Sequence, residues 1–141
     1  MLNKKASWMI MALQDRNKRG FRRLLRSFDF AYQGLKHVIK HEQNMQVHAI
    51  VALLTVAMAA WLSFSLTSWM ILLLVIAGMF SMEIMNTAVE RTVDLITNDF
   101  HPLAKRAKDI AASAVLVYTL FSIVIGALLF IPPILEKFHI L

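Results

Sequence analysis

The sequence predicts an all-α integral membrane protein, in which an N-terminal amphipathic helix at the membrane interface precedes three transmembrane helices. Two observations predict this fold class. Of the 141 residues, 58% are hydrophobic and only 17% are charged, and the mean hydropathy is +0.59, which is too apolar for an ordinary soluble domain. The charges are also unevenly spread, because positions 43–82 and 110–135 contain no Asp, Glu, Lys or Arg. At about 20 residues for each crossing, the first interval is long enough for two helices and the second for one.

The composition also excludes several classes of protein. The absence of cysteine excludes a secreted, disulfide-stabilised scaffold, and the abundance of Leu, Ile, Val and Phe excludes intrinsic disorder. The net charge of +6 could indicate nucleic-acid binding. In a chain with three apolar segments of bilayer length, however, basic residues are more simply explained by contact with anionic lipid headgroups and phosphate-bearing ligands. We therefore expect no nucleic-acid partner.

The N-terminal part of the chain is basic and is expected to lie on the membrane surface. Residues 1–42 contain ten of the fifteen Lys and Arg residues. We expect residues 1–20 to form a loosely ordered basic arm. Over residues 21–42 the apolar side chains fall on one side of a helix and the charged ones on the other, which predicts an amphipathic helix in the cytoplasmic interface. The alternative, a surface helix packed on a soluble domain, lacks a soluble domain on which to pack.

Residues 46–131 are predicted to contain the three transmembrane helices. Trp61 and Trp69 flank the uncharged turn between the first two, and their indole rings indicate the headgroup level at one membrane face. Pro102 suits the first position of the third helix, and the pair Pro132-Pro133 is predicted to end it. The expected spans are 47–62, 69 to about 94, and 110–131.

The basic residues also predict the orientation of the chain in the membrane. Apart from those that precede the first span, most Lys and Arg residues lie in and around the second loop, whereas the turn flanked by tryptophans has none. Basic loops are retained in the cytoplasm. We therefore expect a multi-pass protein of the cell membrane, folded as one membrane domain over residues 1–141, with its N-terminus and its second loop in the cytoplasm.

One face of the second span is polar and acidic, and its members, spaced by three or four residues, fall within about 60° of one another on a helix. These residues are Glu83, Asn86, Glu90 and Asp94. Glu83 is expected about 22 Å into a hydrocarbon layer of about 30 Å, where an ionisable group costs roughly 2.5 to 3.5 kcal/mol, so the face is a candidate functional site. The alternative is that these side chains only join helices through hydrogen bonds. Repulsion between two carboxylates disfavours that alternative unless they share a cation or a proton.

The ligand chemistry suggested by this face is a hard cation with a phosphate. Carboxylates with few histidines favour Mg²⁺, and Mg²⁺ in turn suggests a phosphate-bearing ligand. Positive charge at the same membrane face could come from Arg23, Lys105, Arg106 and Lys108. The four glycines form neither the GxxxxGKS/T nor the GxGxxG nucleotide-binding pattern, so any nucleotide site here is of an unusual kind.

Residues 83–115 carry a motif that leads beyond these physical arguments. The string EIMNTAVE from Glu83, then Val93-Asp94, then AKRAKDIAASAV from Ala104, closely resembles the prokaryotic diacylglycerol kinase family of small trimeric membrane kinases. The resemblance extends over roughly residues 21–131, with the same order of an amphipathic helix and three spans. Residues 78–81, 94–97 and 101–105 are similar to the Gram-positive branch of that family, which phosphorylates undecaprenol.

The resemblance implies an ATP-dependent lipid kinase that uses Mg²⁺ and assembles as a homotrimer with composite active sites. It implies that Glu83 is the catalytic base and that Asn86 lies beside it. It also implies that Glu42 and Glu90 bind the metal ion that accompanies the nucleotide. The positions that match nucleotide contacts are Arg23, Asp99, His101, Lys108 and Asp109.

Two departures from the family pattern bear on the lipid substrate. Members specific for diacylglycerol carry a glutamate where this chain has His48 and an aromatic hydroxyl where it has Phe30. We therefore expect undecaprenol as the substrate, with diacylglycerol as the alternative. An alternative from another class is a small cation-transporting or assembly protein that uses the acidic face as an ion path. Such a path needs polar residues along a whole span, whereas His48 is the only ionisable residue of the first span.

Overall fold

The computed structural model describes residues 21–97 and 99–139. This part of the chain forms four α-helices: α1 (Phe21–His41), α2 (Gln43–Trp61), α3 (Leu66–Ile96) and α4 (Pro102–Lys137). The prediction of an all-helical protein is therefore confirmed over the described ranges. The predicted basic arm, residues 1–20, lies outside them.

The contacts divide the chain into two compact units, the first ending at His37 and the second beginning at Val38. Helix α1, most of which lies in the first unit, is helical from Phe21, as its apolar periodicity predicts. The helix ends at His41, one residue short of the predicted boundary. Glu42 adopts an extended backbone (φ −100°, ψ 117°) and precedes the first residue of α2, Gln43.

Helices α2, α3 and α4 belong to the second unit, and each is long and apolar enough to cross a membrane. The predicted number of membrane-spanning helices is therefore confirmed, although each helix begins before its predicted span. At about 1.5 Å per residue, the 31 residues of α3 extend over roughly 46 Å, more than the hydrocarbon layer needs. The helix can therefore carry its polar end out of the hydrocarbon without a break in its backbone hydrogen bonds.

Local capping sets where the second and third membrane helices begin. Ser65 precedes α3, and its hydroxyl accepts a hydrogen bond from the Ser68 amide at 3.2 Å. His101 precedes α4, and its Nδ1 accepts from the Leu103 amide at 3.2 Å, while Pro102 occupies the first helical position as predicted. Both helices thus begin several residues before their most apolar segments.

The predicted end of the last helix at Pro132-Pro133 is wrong, because α4 continues through both prolines to Lys137. Two prolines remove two backbone donors, but in an apolar medium a helix that unwound there would leave more backbone groups unpaired. The far end is also held by side chains. The Lys137 ammonium donates to the Trp61 carbonyl at 2.7 Å and lies 4.4 Å from the centre of the Trp61 ring, and Phe138 packs on the same ring at 6.3 Å.

Close packing of α3 on α4 depends on a glycine. The Tyr118 hydroxyl donates to the carbonyls of Leu74 and Val75 at 3.3 and 3.2 Å, and a Cβ at Gly78 would overlap that hydroxyl. Small residues let membrane helices approach closely enough for such interhelical hydrogen bonds. Tyr118 is therefore a packing residue with a satisfied hydroxyl.

Candidate functional site

Three polar side chains in the second half of α3 are buried. Glu83, Asn86 and Thr87 are the buried polar residues among those described, and Glu83 is only 3% exposed. All three lie within little more than one helical turn, so they form one patch on α3. The sequence singled out Glu83 and Asn86, whereas Thr87 went unnoticed because a threonine inside an apolar helix carries no distinguishing pattern.

Glu83 is paired with a histidine of the neighbouring helix. Nε2 of His48, on α2, lies 3.1 Å from Oε1 of Glu83, and the two side chains are 23% and 4% exposed. A carboxylate buried without a partner would carry a large desolvation penalty, which this hydrogen bond offsets in part. His48 is therefore part of the candidate site.

Asn86 and Glu90 form a pair one turn further along α3. The Asn86 amide donates to Oε1 of Glu90 at 3.0 Å, as their spacing of four residues allows. Oδ1 of Asn86 is buried and has no hydrogen-bond partner within the described ranges. Buried acceptors are rarely left unpaired, so this oxygen is a candidate to bind a hydrogen-bond donor or a cation.

Glu42, which precedes α2, is paired with an arginine that the sequence analysis did not assign to the site. The Arg91 guanidinium donates to Oε1 of Glu42 at 2.6 Å. Glu42 is the carboxylate that interacts most strongly with the Arg91 guanidinium. Asp94 and Glu90 also attract it electrostatically. The signal that could have identified it is local: Arg91 is the single basic residue within the acidic stretch from Glu83 to Asp94.

Two more of the predicted basic residues, Lys105 and Lys108, lie near the start of α4. Lys108 donates to Oδ1 of Asp94 at 2.6 Å and so joins α4 to α3, while Lys105 pairs with Asp109 on α4 itself. These side chains are at least one-third exposed, so each ion pair contributes little stability and can be exchanged for a ligand.

The other three residues predicted to contact the nucleotide lie in different parts of the structure. Asp99 lies in the segment between α3 and α4, where its backbone amide donates to Thr97 Oγ1 at 3.1 Å. His101 caps α4 through Nδ1, so it has a structural role whatever else it does. Arg23 lies on α1, in the first unit.

Two carboxylates and one amide oxygen around Arg91 have the donor chemistry that a Mg²⁺ ion shared with a phosphate ligand would need. Within residues 21–97 and 99–139, no three His, Asp or Glu side chains gather into a metal site of their own. Glu42 is nevertheless bonded to Arg91, the residue next to Glu90 on α3. Asn86, which donates to Glu90, keeps an unused amide oxygen. Mg²⁺ in nucleotide sites is held by one or two carboxylates, with phosphate oxygens and waters as the other ligands, which is what these residues would require.

An apolar cavity lies between the three long helices, and it is lined by His48, the hydrogen-bond partner of Glu83. Its volume is about 390 Å³, and its walls are almost entirely apolar side chains of α2, α3 and α4, such as Val51, Met79 and Ile123. His48 lines the end nearest Glu83. Phe130 lines the opposite end, where its ring packs on Phe64 at 4.8 Å. A cavity of this size and lining can hold part of an apolar ligand.

Comparison with known proteins gives a consistent result. The profile of the prokaryotic diacylglycerol kinase family matches residues 29–130. The undecaprenol kinase of Bacillus subtilis is 46% identical over 110 residues, which cover 78% of this chain and 89% of that protein. A diacylglycerol kinase of Helicobacter pylori is 34% identical over 103 residues, covering 73% and 80%. The diacylglycerol kinase of Escherichia coli is 28% identical over 113 residues, covering 80% and 93%.

Proposed function

Because the chain belongs to the prokaryotic diacylglycerol kinase family, it is a membrane enzyme that phosphorylates a lipid alcohol, and we propose that the alcohol is undecaprenol and the phosphoryl donor ATP. The observation that carries this proposal is that one side chain, His48, both lines the apolar cavity and hydrogen-bonds the buried Glu83. An apolar chain in the cavity would bring the hydroxyl at its head next to a carboxylate that can accept the hydroxyl proton.

The lining of the cavity favours a polyprenol over diacylglycerol. A polyprenol has only apolar chain behind its hydroxyl, whereas diacylglycerol brings two ester groups that need polar partners or incur a desolvation cost. Apart from His48, the cavity offers few polar groups, among them the hydroxyls of Thr55, Thr119 and Ser122. Thr119 and Ser122 already donate to the backbone of α4, to the carbonyls of Val115 and Tyr118. The higher identity to an undecaprenol kinase than to the diacylglycerol kinases points the same way.

In the proposed reaction Glu83 acts as the general base. The lipid oxygen forms a bond to the γ-phosphorus of ATP, the bond from that phosphorus to the bridging oxygen breaks, and ADP leaves. The proton of the lipid hydroxyl passes to Glu83. Arg23, Asp99, His101, Lys108 and Asp109 are proposed to bind the nucleotide, with the basic members neutralising its phosphate charge.

The residues proposed to hold Mg²⁺ are Glu42 and Glu90, with the unpaired Oδ1 of Asn86 as a further donor. When bound, Mg²⁺ would neutralise the charge of the triphosphate and of the transferring phosphoryl group. The Arg91 guanidinium neutralises Glu42 in the structure, so Arg91 must release that carboxylate when the metal binds. Its 60% exposed side chain leaves it free to move.

The placement in the membrane is also proposed. The large apolar residues of α1, such as Phe21, Leu24 and Phe28, are more than half exposed, which suits a helix whose apolar side enters the lipid interface. We place α1 and the loop between α3 and α4 on the cytoplasmic side, because the basic residues concentrate there. Residues 1–141 would then form one membrane domain, and three copies would form the enzyme.

The test is transfer of labelled γ-phosphate from ATP to undecaprenol and to diacylglycerol, measured in the same mixed micelles. We expect a higher kcat/KM for undecaprenol. An equal or higher value for diacylglycerol would reject undecaprenol and leave diacylglycerol phosphorylation as the function. The non-enzymatic alternative, an ion path or an assembly protein, has no support from the relatives, which are kinases.

A further inference from the structure

In the hydrogen bond between His48 and Glu83, the protonation state of the base determines which residue is the donor. An ionised carboxylate has no proton and can only accept hydrogen bonds. Glu83 must be ionised when it takes a proton, so in that state Nε2 of His48 carries the hydrogen and donates to Oε1 of Glu83. The other carboxylate oxygen, Oε2, is then the one that remains for the lipid hydroxyl.

Glu83 depends strongly on this bond for its orientation. Within residues 21–97 and 99–139, His48 is the hydrogen-bond partner that the structure gives to the Glu83 side chain, which is 4% exposed. Without His48 the carboxylate could rotate about its last torsion angle, which is a broad and shallow one. A displacement of about 1 Å at a reacting group can lower a rate by as much as 100-fold.

Resting on the function proposed above, we propose that His48 is a positioning residue: it fixes the carboxylate of Glu83 so that Oε2 faces the head of the lipid at the end of the cavity. His48 lines that end of the cavity, so the side chain that orients the base also borders the place where the lipid hydroxyl must arrive. The role belongs to its N–H group and does not require the imidazole ring as such.

The test compares two substitutions of almost equal shape. In His48→Gln, the amide nitrogen is the same number of bonds from the backbone as Nε2 of histidine and can donate to Glu83. In His48→Met, the side chain has similar length and no donor. We expect His48→Met to lower kcat by about 10- to 100-fold, with the KM values for lipid and ATP unchanged within about twofold. His48→Gln should retain kcat within about threefold of the unsubstituted enzyme.

A second measurement separates positioning from a structural effect. In Glu83→Asp the carboxylate is one methylene shorter and moves out of reach of His48, so activity falls but should remain measurable. Adding His48→Met to Glu83→Asp should then cost less than about twofold, because the two changes remove one interaction. Ile50→Ala is the control on α2, since Ile50 is 61% exposed and lies outside the cavity lining; it should leave both kcat and KM unchanged.

Each outcome supports the inference or overturns it. The inference fails if His48→Met raises the lipid KM and leaves kcat intact, which would make His48 only a lipid contact. It fails equally if the Gln and Met variants lose the same activity, or if His48→Met costs as much in the Asp background as in the native one. Should the Met variant not assemble, His48→Leu provides a second side chain without a donor. Full activity of Glu83→Gln would overturn the proposed base itself, a result separate from all of these.

Discussion

The proposed role of Glu83 as the base can be tested by replacing one of its carboxylate oxygens. The residue is 3% exposed and hydrogen-bonds His48, so a substitution that keeps its shape disturbs the surroundings least. We expect Glu83→Gln to lower turnover by at least about 100-fold, because a general base contributes about 10²- to 10⁴-fold to such a reaction. The amide keeps the shape and hydrogen-bonding capacity of the side chain, so assembly and ATP binding should persist. Lipid phosphorylation and equilibrium nucleotide binding measure the two effects, and turnover within threefold of the native enzyme would contradict the assignment.

Two adjacent residues should change the magnesium requirement in opposite directions. Glu90→Ala removes a proposed ligand and should raise the Mg²⁺ concentration for half-maximal activity. Arg91→Gln removes the cation that is bound to Glu42, so it should lower that concentration. The expected decrease is small, since the ion pair of Arg91 with Glu42 is exposed to solvent and such pairs are weak.

The control for these variants is Lys36→Gln, which changes the net charge as Arg91→Gln does but lies on the exposed surface of α1. It should leave the Mg²⁺ titration unaltered. Unchanged titrations in both Glu90→Ala and Arg91→Gln would show that the metal is bound elsewhere.

Between elements, the contact of Gly78 with Tyr118 sets how closely α3 and α4 approach. We expect Gly78→Ala to destabilise the protein by about 1 to 3 kcal/mol, because the added methyl group overpacks the contact. The loss should be smaller when Tyr118→Phe is also present, since the hydroxyl then no longer overlaps the methyl. Melting temperatures in detergent measure both effects.

A matched glycine serves as the control for that experiment. A Cβ at Gly126, in α4, meets nothing within 4 Å, so Gly126→Ala should not lower the melting temperature. Equal melting temperatures for the Gly78 and Gly126 variants would refute the close approach.

The helices were predictable from the sequence because long uncharged segments leave few alternatives in a membrane. The end of α4 was not, since the Pro132-Pro133 pair predicts a stop that the contacts of Lys137 with Trp61 help to override. Within the site, the pairing of Asn86 with Glu90 follows from helical spacing. The pairings of His48 with Glu83 and Arg91 with Glu42 join residues 35 and 49 positions apart, and they depend on how α2 and α3 pack. No periodicity within one helix encodes that register.

For the whole molecule, the proposed trimer predicts complementation between inactive chains. The proposal includes active sites shared between chains, so a residue that is lost from one chain can be supplied by another. Co-assembling inactive Arg23→Ala chains with inactive Glu83→Gln chains should then recover part of the native turnover. Mixing Glu83→Gln with His48→Met should recover none beyond that of His48→Met alone, because these two residues contact each other within one chain. Absence of recovery in the first mixture, at every ratio, would confine each site to a single chain.

The aromatic contact at the far end of the cavity has a consequence for how the substrate leaves and enters. The lining residues of α2 extend only from Val47 to Thr55, roughly 12 Å along the helix axis, and Phe130 on Phe64 bounds the space beyond. If the substrate is the proposed polyprenol, its long tail would exceed this space and would have to pass sideways between helices into the bilayer. Most of the tail would then remain in the lipid phase throughout the reaction. The enzyme would therefore not discriminate between substrates by the total length of the tail. The substrate can exchange by lateral diffusion, without being extracted from the membrane.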